Sequence, residues 1–258
     1  MPTLPAASLV DVDGHAVEFV RAGTGAPTVV LINGSGGPLA GWMRVFDGIA
    51  ARTTALAYNR PGVGRSARPA KDQTATEMVA SLRRLLAALQ LAPPYVLVGH
   101  SFGGLVANLY ARLHPADVAS VVLLEATAPQ DLTALKAHEN ALQKGLAWLM
   151  RRLVPPQRWH ETEHTARSAA ELAAAPPFPA VPLRVVTGTK PAMAWATKPA
   201  LLQARGTHQR GLVALSPLGR QVLADGSGHF PQFSEPELVV KTVLELVDAE
   251  QRVLAPAS

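Results

Sequence analysis

The stretch Tyr95-Val96-Leu97-Val98-Gly99-His100-Ser101-Phe102-Gly103-Gly104-Leu105-Val106 decides how this chain is read. Four apolar residues in a row suit a strand buried on both faces of a parallel sheet. Gly-x-Ser-x-Gly-Gly follows at once, and the apolar spacing over residues 102–113 is that of a helix. A serine on so sharp a strand-to-helix turn has a strained backbone, and neighbouring side chains would collide with it. Gly99, Gly103 and Gly104 remove those side chains. The turn then lifts the Ser101 hydroxyl clear of the sheet, at a helix N-terminus whose dipole favours negative charge.

Working outward, residues 9–12 and 16–20 alternate around Asp13-Gly14, a hairpin signal. A continuous run at Thr28–Ile32 and further, largely apolar runs at Ala55–Tyr58, 121–124 and 183–186 read as more strands, with a helical pattern over 77–90. Strand and helix in alternation predict right-handed crossovers about a mostly parallel sheet. The class is therefore α/β, with about eight strands and helices on both faces. After Glu125 the alternation stops. Residues 133–153 and 160–174 read as helices, each ended by a Pro-Pro pair. This insertion, roughly 45 residues, is too long for a loop without structure of its own. The expected organisation is a core over 1–127, a helical lid over 128–178 and the rest of the core over 179–258. A last strand at 221–224 precedes a closing helix with Ser234 and Glu237 in capping-box spacing.

Composition narrows the classes. The 258 residues are 48% apolar and 17% charged, as in one large soluble α/β domain. Without a cysteine, disulfides, thiol chemistry and Cys-based zinc sites are excluded. The net charge is +5, yet the arginines are scattered and no basic run is interleaved with aromatics, so nucleic acid is not the expected partner. No apolar run is long enough to span a bilayer. The N-terminus lacks the basic and apolar regions of a secretion signal, which predicts a cytoplasmic protein.

With the strand, the serine turn and the interrupted sheet in view, the chain resembles the α/β-hydrolase superfamily, in its lid-bearing, serine-esterase-like branch. The resemblance covers nearly the whole length. It implies a histidine in the loop after the last strand, and His229 in Asp225-Gly226-Ser227-Gly228-His229-Phe230 fits that position. A serine needs such a base because its own pKa is far too high for attack at neutral pH. Many members carry the acid after the strand that follows the lid, but Thr187-Gly188-Thr189-Lys190 holds no carboxylate. Others place it at the end of the strand before the lid, where Glu125 stands. Asp131 and Asp225 remain alternatives. The resemblance further implies an oxyanion hole built from the N–H groups of Phe102 and Ser35, the latter in Asn33-Gly34-Ser35-Gly36-Gly37 where relatives usually read His-Gly.

Asn33, Gly34, Trp42 and Phe230 are the expected lining of the substrate site. Residues 59–66, Asn-Arg-Pro-Gly-Val-Gly-Arg-Ser, lack the third glycine of a nucleotide-binding loop and read as a structural turn. His160-Glu161-Thr162-Glu163-His164 matches the zinc-protease pattern, but no third ligand motif accompanies it and it lies in a polar stretch. No metal and no cofactor is expected. The partner is a small molecule, the expected reaction hydrolysis of a small, largely apolar ester or lactone. Carbon–carbon bond hydrolysis and cofactor-free perhydrolysis use the same residues, and a slow ligand-binding sensor is the rival of another class.

Overall fold

The apolar runs form the middle of one eight-stranded sheet in the computed structural model, which describes residues 3–128, 161–190 and 199–255. The strands are β1 (Ser8–Val12), β2 (His15–Ala22), β3 (Thr28–Ile32), β4 (Ala55–Tyr58), β5 (Tyr95–His100), β6 (Val118–Leu124), β7 (Leu183–Gly188) and β8 (Gly219–Ala224). Their order across the sheet is β1-β2-β4-β3-β5-β6-β7-β8. Only β2 runs against the others, antiparallel to β1 on one side and to β4 on the other; every other pair is parallel. The first hairpin closes at Asp13-Gly14, both with positive φ (54° and 81°), the left-handed pair that a two-residue turn requires.

Register explains why the central strands are apolar throughout. Val30 pairs with Leu97, Leu97 with Val121 and Val121 with Leu183, one apolar row across four strands. Because side chains alternate along a strand, Val30, Ile32, Leu97, Val121 and Leu123 join the core under helices α2 (Ala75–Ala88) and α3 (Phe102–Leu113). Val29, Leu31, Val96, Val98 and Val122 join the opposite core, with α1 (Phe46–Ala50) and the C-terminal helix Pro236–Leu254. Both faces are therefore covered, as a parallel sheet requires. The five strands β3, β5, β6, β7 and β8 end at one edge, and the loops beyond them carry the candidate residues.

Some expectations need correction. The 160–174 helix divides into a 3₁₀ turn, Glu161–His164, and α4 (Thr165–Ala174). Helix α5 (Pro199–Val213) has no clear apolar stripe and was not anticipated. Ser234 does not cap the closing helix; it ends a short turn of helix, α6 (Pro231–Ser234), and its hydroxyl bonds the Ser227 hydroxyl (2.6 Å) and the Phe230 carbonyl (3.0 Å). The closing helix, α7 (Pro236–Leu254), begins instead after Glu235, with proline in its first turn where the missing N–H costs nothing. The helix expected over 133–153, the alternative acid Asp131 and most of the 128–178 insertion lie outside the described residues. No described helix is long and apolar enough to cross a membrane.

Candidate active site

Strand β5 delivers Ser101 on a turn with φ 51° and ψ −121°, a conformation side chains rarely take. Tight packing holds it there. A Cβ on Gly99 or Gly103 would come closer than 3.0 Å to backbone atoms, and one on Gly104 would strike Ala126. Ser101 N–H donates to the Leu124 carbonyl (3.1 Å) and the Ser101 carbonyl accepts from Thr127 N–H (3.0 Å), which ties the turn to the end of β6.

Three side chains converge. His229 Nε2 lies 3.1 Å from Ser101 Oγ, and His229 Nδ1 lies 3.7 Å from Glu125 Oε2. Glu125 is buried, with its own backbone at φ 45°. Its Oε1 accepts the Gly188 N–H at 2.6 Å, so β7 orients the carboxylate. Asp225, by contrast, is exposed on the turn after β8. A neutral imidazole whose Nε2 accepts the serine proton, with a carboxylate behind Nδ1, suits general-base activation of the hydroxyl. A 3.7 Å separation is long for a hydrogen bond, and such contacts shorten once the imidazolium develops.

The N–H groups of Phe102 and Ser35 have no partner among the described residues. Phe102 opens α3, where the first N–H groups are free by construction. Gly34 lies against the serine turn: a Cβ there would sit 3.1 Å from Ser101 Cβ and from His100 Nδ1. Asn33 turns its side chain back on its own loop, donating from Nδ2 to the Pro38 carbonyl at 3.0 Å. Trp42 is a correction to the expected pocket lining: it has no exposed surface and packs in the apolar core with Phe46 and Val243. Phe230 is 52% exposed, its ring 5.0 Å from that of His229 and 5.2 Å from that of His100.

A profile of the Alpha/beta hydrolase family matches residues 29–242. This chain belongs to that family. The dihydrolipoyllysine-residue acetyltransferase component of the acetoin cleaving system is similar in two organisms. In Cupriavidus necator the identity is 38%, covering 44% of this chain and 30% of that protein. In Pseudomonas putida it is 28%, covering 93% of this chain and 69% of that protein. Mouse alpha/beta hydrolase domain-containing protein 10 shares the fold at 17% identity, with a TM-score of 0.70 over 95% of this chain and 99% of that one. This alpha/beta hydrolase chain spans less than half the length of several curated relatives that it matches, 30%, 42% and 25% in three cases.

Three residues at the site escaped the sequence reading. Arg205, on α5, forms an ion pair with the same Glu125 oxygen that faces His229. Burial, and next the Arg205 charge, holds the His229 pKa below its ordinary 6.5. His100 is buried, and its Nε2 donates to the His229 carbonyl at 2.8 Å, bracing the loop that carries the imidazole. Desolvation pushes the His100 pKa down to about 4, so it is neutral at physiological pH. Arg60 stands behind the 33–35 loop, bonded to two of its carbonyls. His100 lies within the serine turn and Arg60 within the 59–66 turn, but nothing local shows what any of the three side chains meets, since each acts on a segment distant in the chain.

Proposed function

We propose that this member of the family is a serine hydrolase acting on a small, largely apolar ester or lactone, through an acyl-enzyme on Ser101. His229 takes the Ser101 proton as Oγ attacks the carbonyl carbon, while Glu125 stabilises the resulting imidazolium. The N–H groups of Phe102 and Ser35 hold the oxyanion, each donor being worth about 3–4 kcal/mol in such sites. His229 returns the proton to the leaving alkoxide, which departs as the alcohol. A water then gives its proton to His229 as it attacks the acyl carbon, and His229 passes that proton to Ser101 Oγ as the C–Oγ bond breaks and the carboxylic acid leaves. These steps call for no cofactor. In this reading residues 128–178 form the lid over the site, between core segments 1–127 and 179–258, and the half-exposed Phe230 offers an apolar wall at the mouth.

The observation that carries the reading is the line from Ser101 Oγ through His229 to the buried Glu125, at 3.1 Å and 3.7 Å. Labelling with a fluorophosphonate tests it. Wild type is expected to label and to hydrolyse p-nitrophenyl butyrate, and Ser101→Ala to do neither. Glu125→Gln is expected to lower kcat by about 10²–10⁴-fold, because the amide cannot hold the imidazolium. A wild type that never labels rules out an activated serine, and full turnover in Glu125→Gln moves the acid elsewhere.

A further inference from the structure

Arg60 lies in the turn after β4, its side chain only 3% exposed, and its guanidinium joins two segments far apart in sequence. Nη1 donates to the Asn33 carbonyl and Nη2 to the Gly34 carbonyl, both at 2.6 Å. On its other side Nε and Nη2 meet the two oxygens of Glu161, at 2.5 Å and 2.8 Å. Glu161 opens the 3₁₀ turn that leads into α4, in the chain between β6 and β7. Helix α4 is itself docked, since Ser168 Oγ accepts from Ala75 N–H (3.0 Å) and Glu171 from Thr76 N–H (2.9 Å) at the start of α2.

The two carbonyls that Arg60 holds matter for what lies on their far side. A trans peptide is planar, with its C=O and N–H pointing in opposite directions. The Gly34–Ser35 bond is trans. Fixing the Gly34 oxygen on the guanidinium therefore aims the Ser35 N–H away from Arg60, and Arg60 fixes the Gly34 N–H in the same way through Asn33. A cation on the carbonyl oxygen also polarises the peptide and makes its N–H a better donor. A buried ion pair is a poor device for stability alone, because desolvation offsets much of the attraction. A two-pronged guanidinium is well suited to fixing geometry.

We propose that Arg60 and Glu161 are positioning residues that clamp the 33–35 loop and make its alignment depend on the seating of the chain segment that begins at Glu161. The inference rests on the oxyanion role given above to Ser35. It also gives Glu161 a use unrelated to the zinc-like pattern in which it sits: its carboxylate is committed to Arg60.

The test compares wild type, Glu161→Gln and the double variant Arg60→Met/Glu161→Leu, which removes the clamp without leaving a buried charge unpaired. Thermal unfolding establishes that each is folded. Deuterium uptake over residues 33–37 reads the loop directly and needs no activity. In the double variant uptake there is expected to quicken, and kcat for p-nitrophenyl butyrate to fall about 10–100-fold with KM within about 3-fold, the pattern of a misplaced transition-state contact. Phenylboronic acid, which forms a tetrahedral adduct on a reactive serine, is expected to lose affinity in step with kcat. Glu161→Gln is expected to quicken uptake in the same loop, to a smaller extent. A folded double variant with unchanged uptake at 33–37 and unchanged kcat overturns the clamp. If Glu161→Gln loosens only residues 161–174, the dependence on that segment is overturned. A wild type that resists fluorophosphonate overturns the hydrolase reading separately, while deuterium uptake still judges the clamp.

Discussion

At the scale of single residues, His229 is held between two opposing charges. Burial, and after it the Arg205 cation, holds its pKa below 6.5, while the Glu125 carboxylate lies 3.7 Å from its Nδ1. In the proposed mechanism His229 acts as the general base and must be neutral, so kcat/KM is expected to rise with pH and to level off with an inflection below pH 6.5. Arg205→Met removes a repelling cation and leaves Glu125 Oε2 to His229. Both changes favour the imidazolium, so the inflection is expected to move to higher pH. A pH profile of kcat/KM checks this, and an inflection that stays fixed or falls would separate Arg205 from the base. Ser101 could be read from the glycines crowded around it, and His229 from the place the family resemblance gives a histidine, in the loop after the last strand. Arg205 could not, because nothing near it in the chain indicates that α5 turns it toward Glu125.

At the scale of elements, two glycines make opposite predictions. Gly103 sits where α3 crosses the end of β3, and a Cβ there would press on the Ile32 and Asn33 carbonyl oxygens at under 3.0 Å. Backbone cannot swing aside as a side chain can. Gly103→Ala is expected to cost about 1–3 kcal/mol in urea unfolding, as overpacking does. It is also expected to lower kcat, since the atoms displaced lead into the 33–35 loop. Gly211 lies within α5, where a Cβ would meet nothing within 4 Å. Gly211→Ala is expected to raise stability by about 0.4–1 kcal/mol, through the smaller entropy of the unfolded chain. Equal effects at the two positions would mean that close packing does not account for Gly103. The same contrast explains why α3 was legible and α5 was not: α3 carries a continuous apolar pattern, whereas Gly206, Gly211 and polar residues break up the stripe of α5.

At the scale of the whole molecule, the sheet divides the core into two apolar clusters. Leu82 of α2 belongs to one and Ile49 of α1 to the other, both without exposed surface. Leu82→Ala is expected to cost about 2–5 kcal/mol and Ile49→Val about 0.5–1.5 kcal/mol. With a strand layer between them, the costs are expected to add to within about 0.5 kcal/mol. Denaturant unfolding of the single and double variants checks this, and a larger coupling would mean that the two clusters respond as one. The sheet also brings the site together, since β3, β5, β6 and β8 end on one edge, where the chain just beyond them carries Ser35, Ser101, Glu125 and His229.

The amino-acid sequence by itself determined what depends on near neighbours. Apolar runs with period-two packing made the central strands, Asp13-Gly14 made the hairpin, and the glycines about Ser101 made the turn that presents its hydroxyl. Glu125 was legible as a lone carboxylate closing an apolar strand. Only the tertiary structure decided that Glu125 rather than Asp225 faces His229, that Arg205 shares the same oxygen, and that Trp42 packs in the core. It alone joined Arg60 to Glu161 across 101 positions of chain. The physical reason is one of range. Backbone conformation and apolar periodicity act over a few residues, whereas charges and hydrogen bonds pair by distance in space, which the order of the residues does not record.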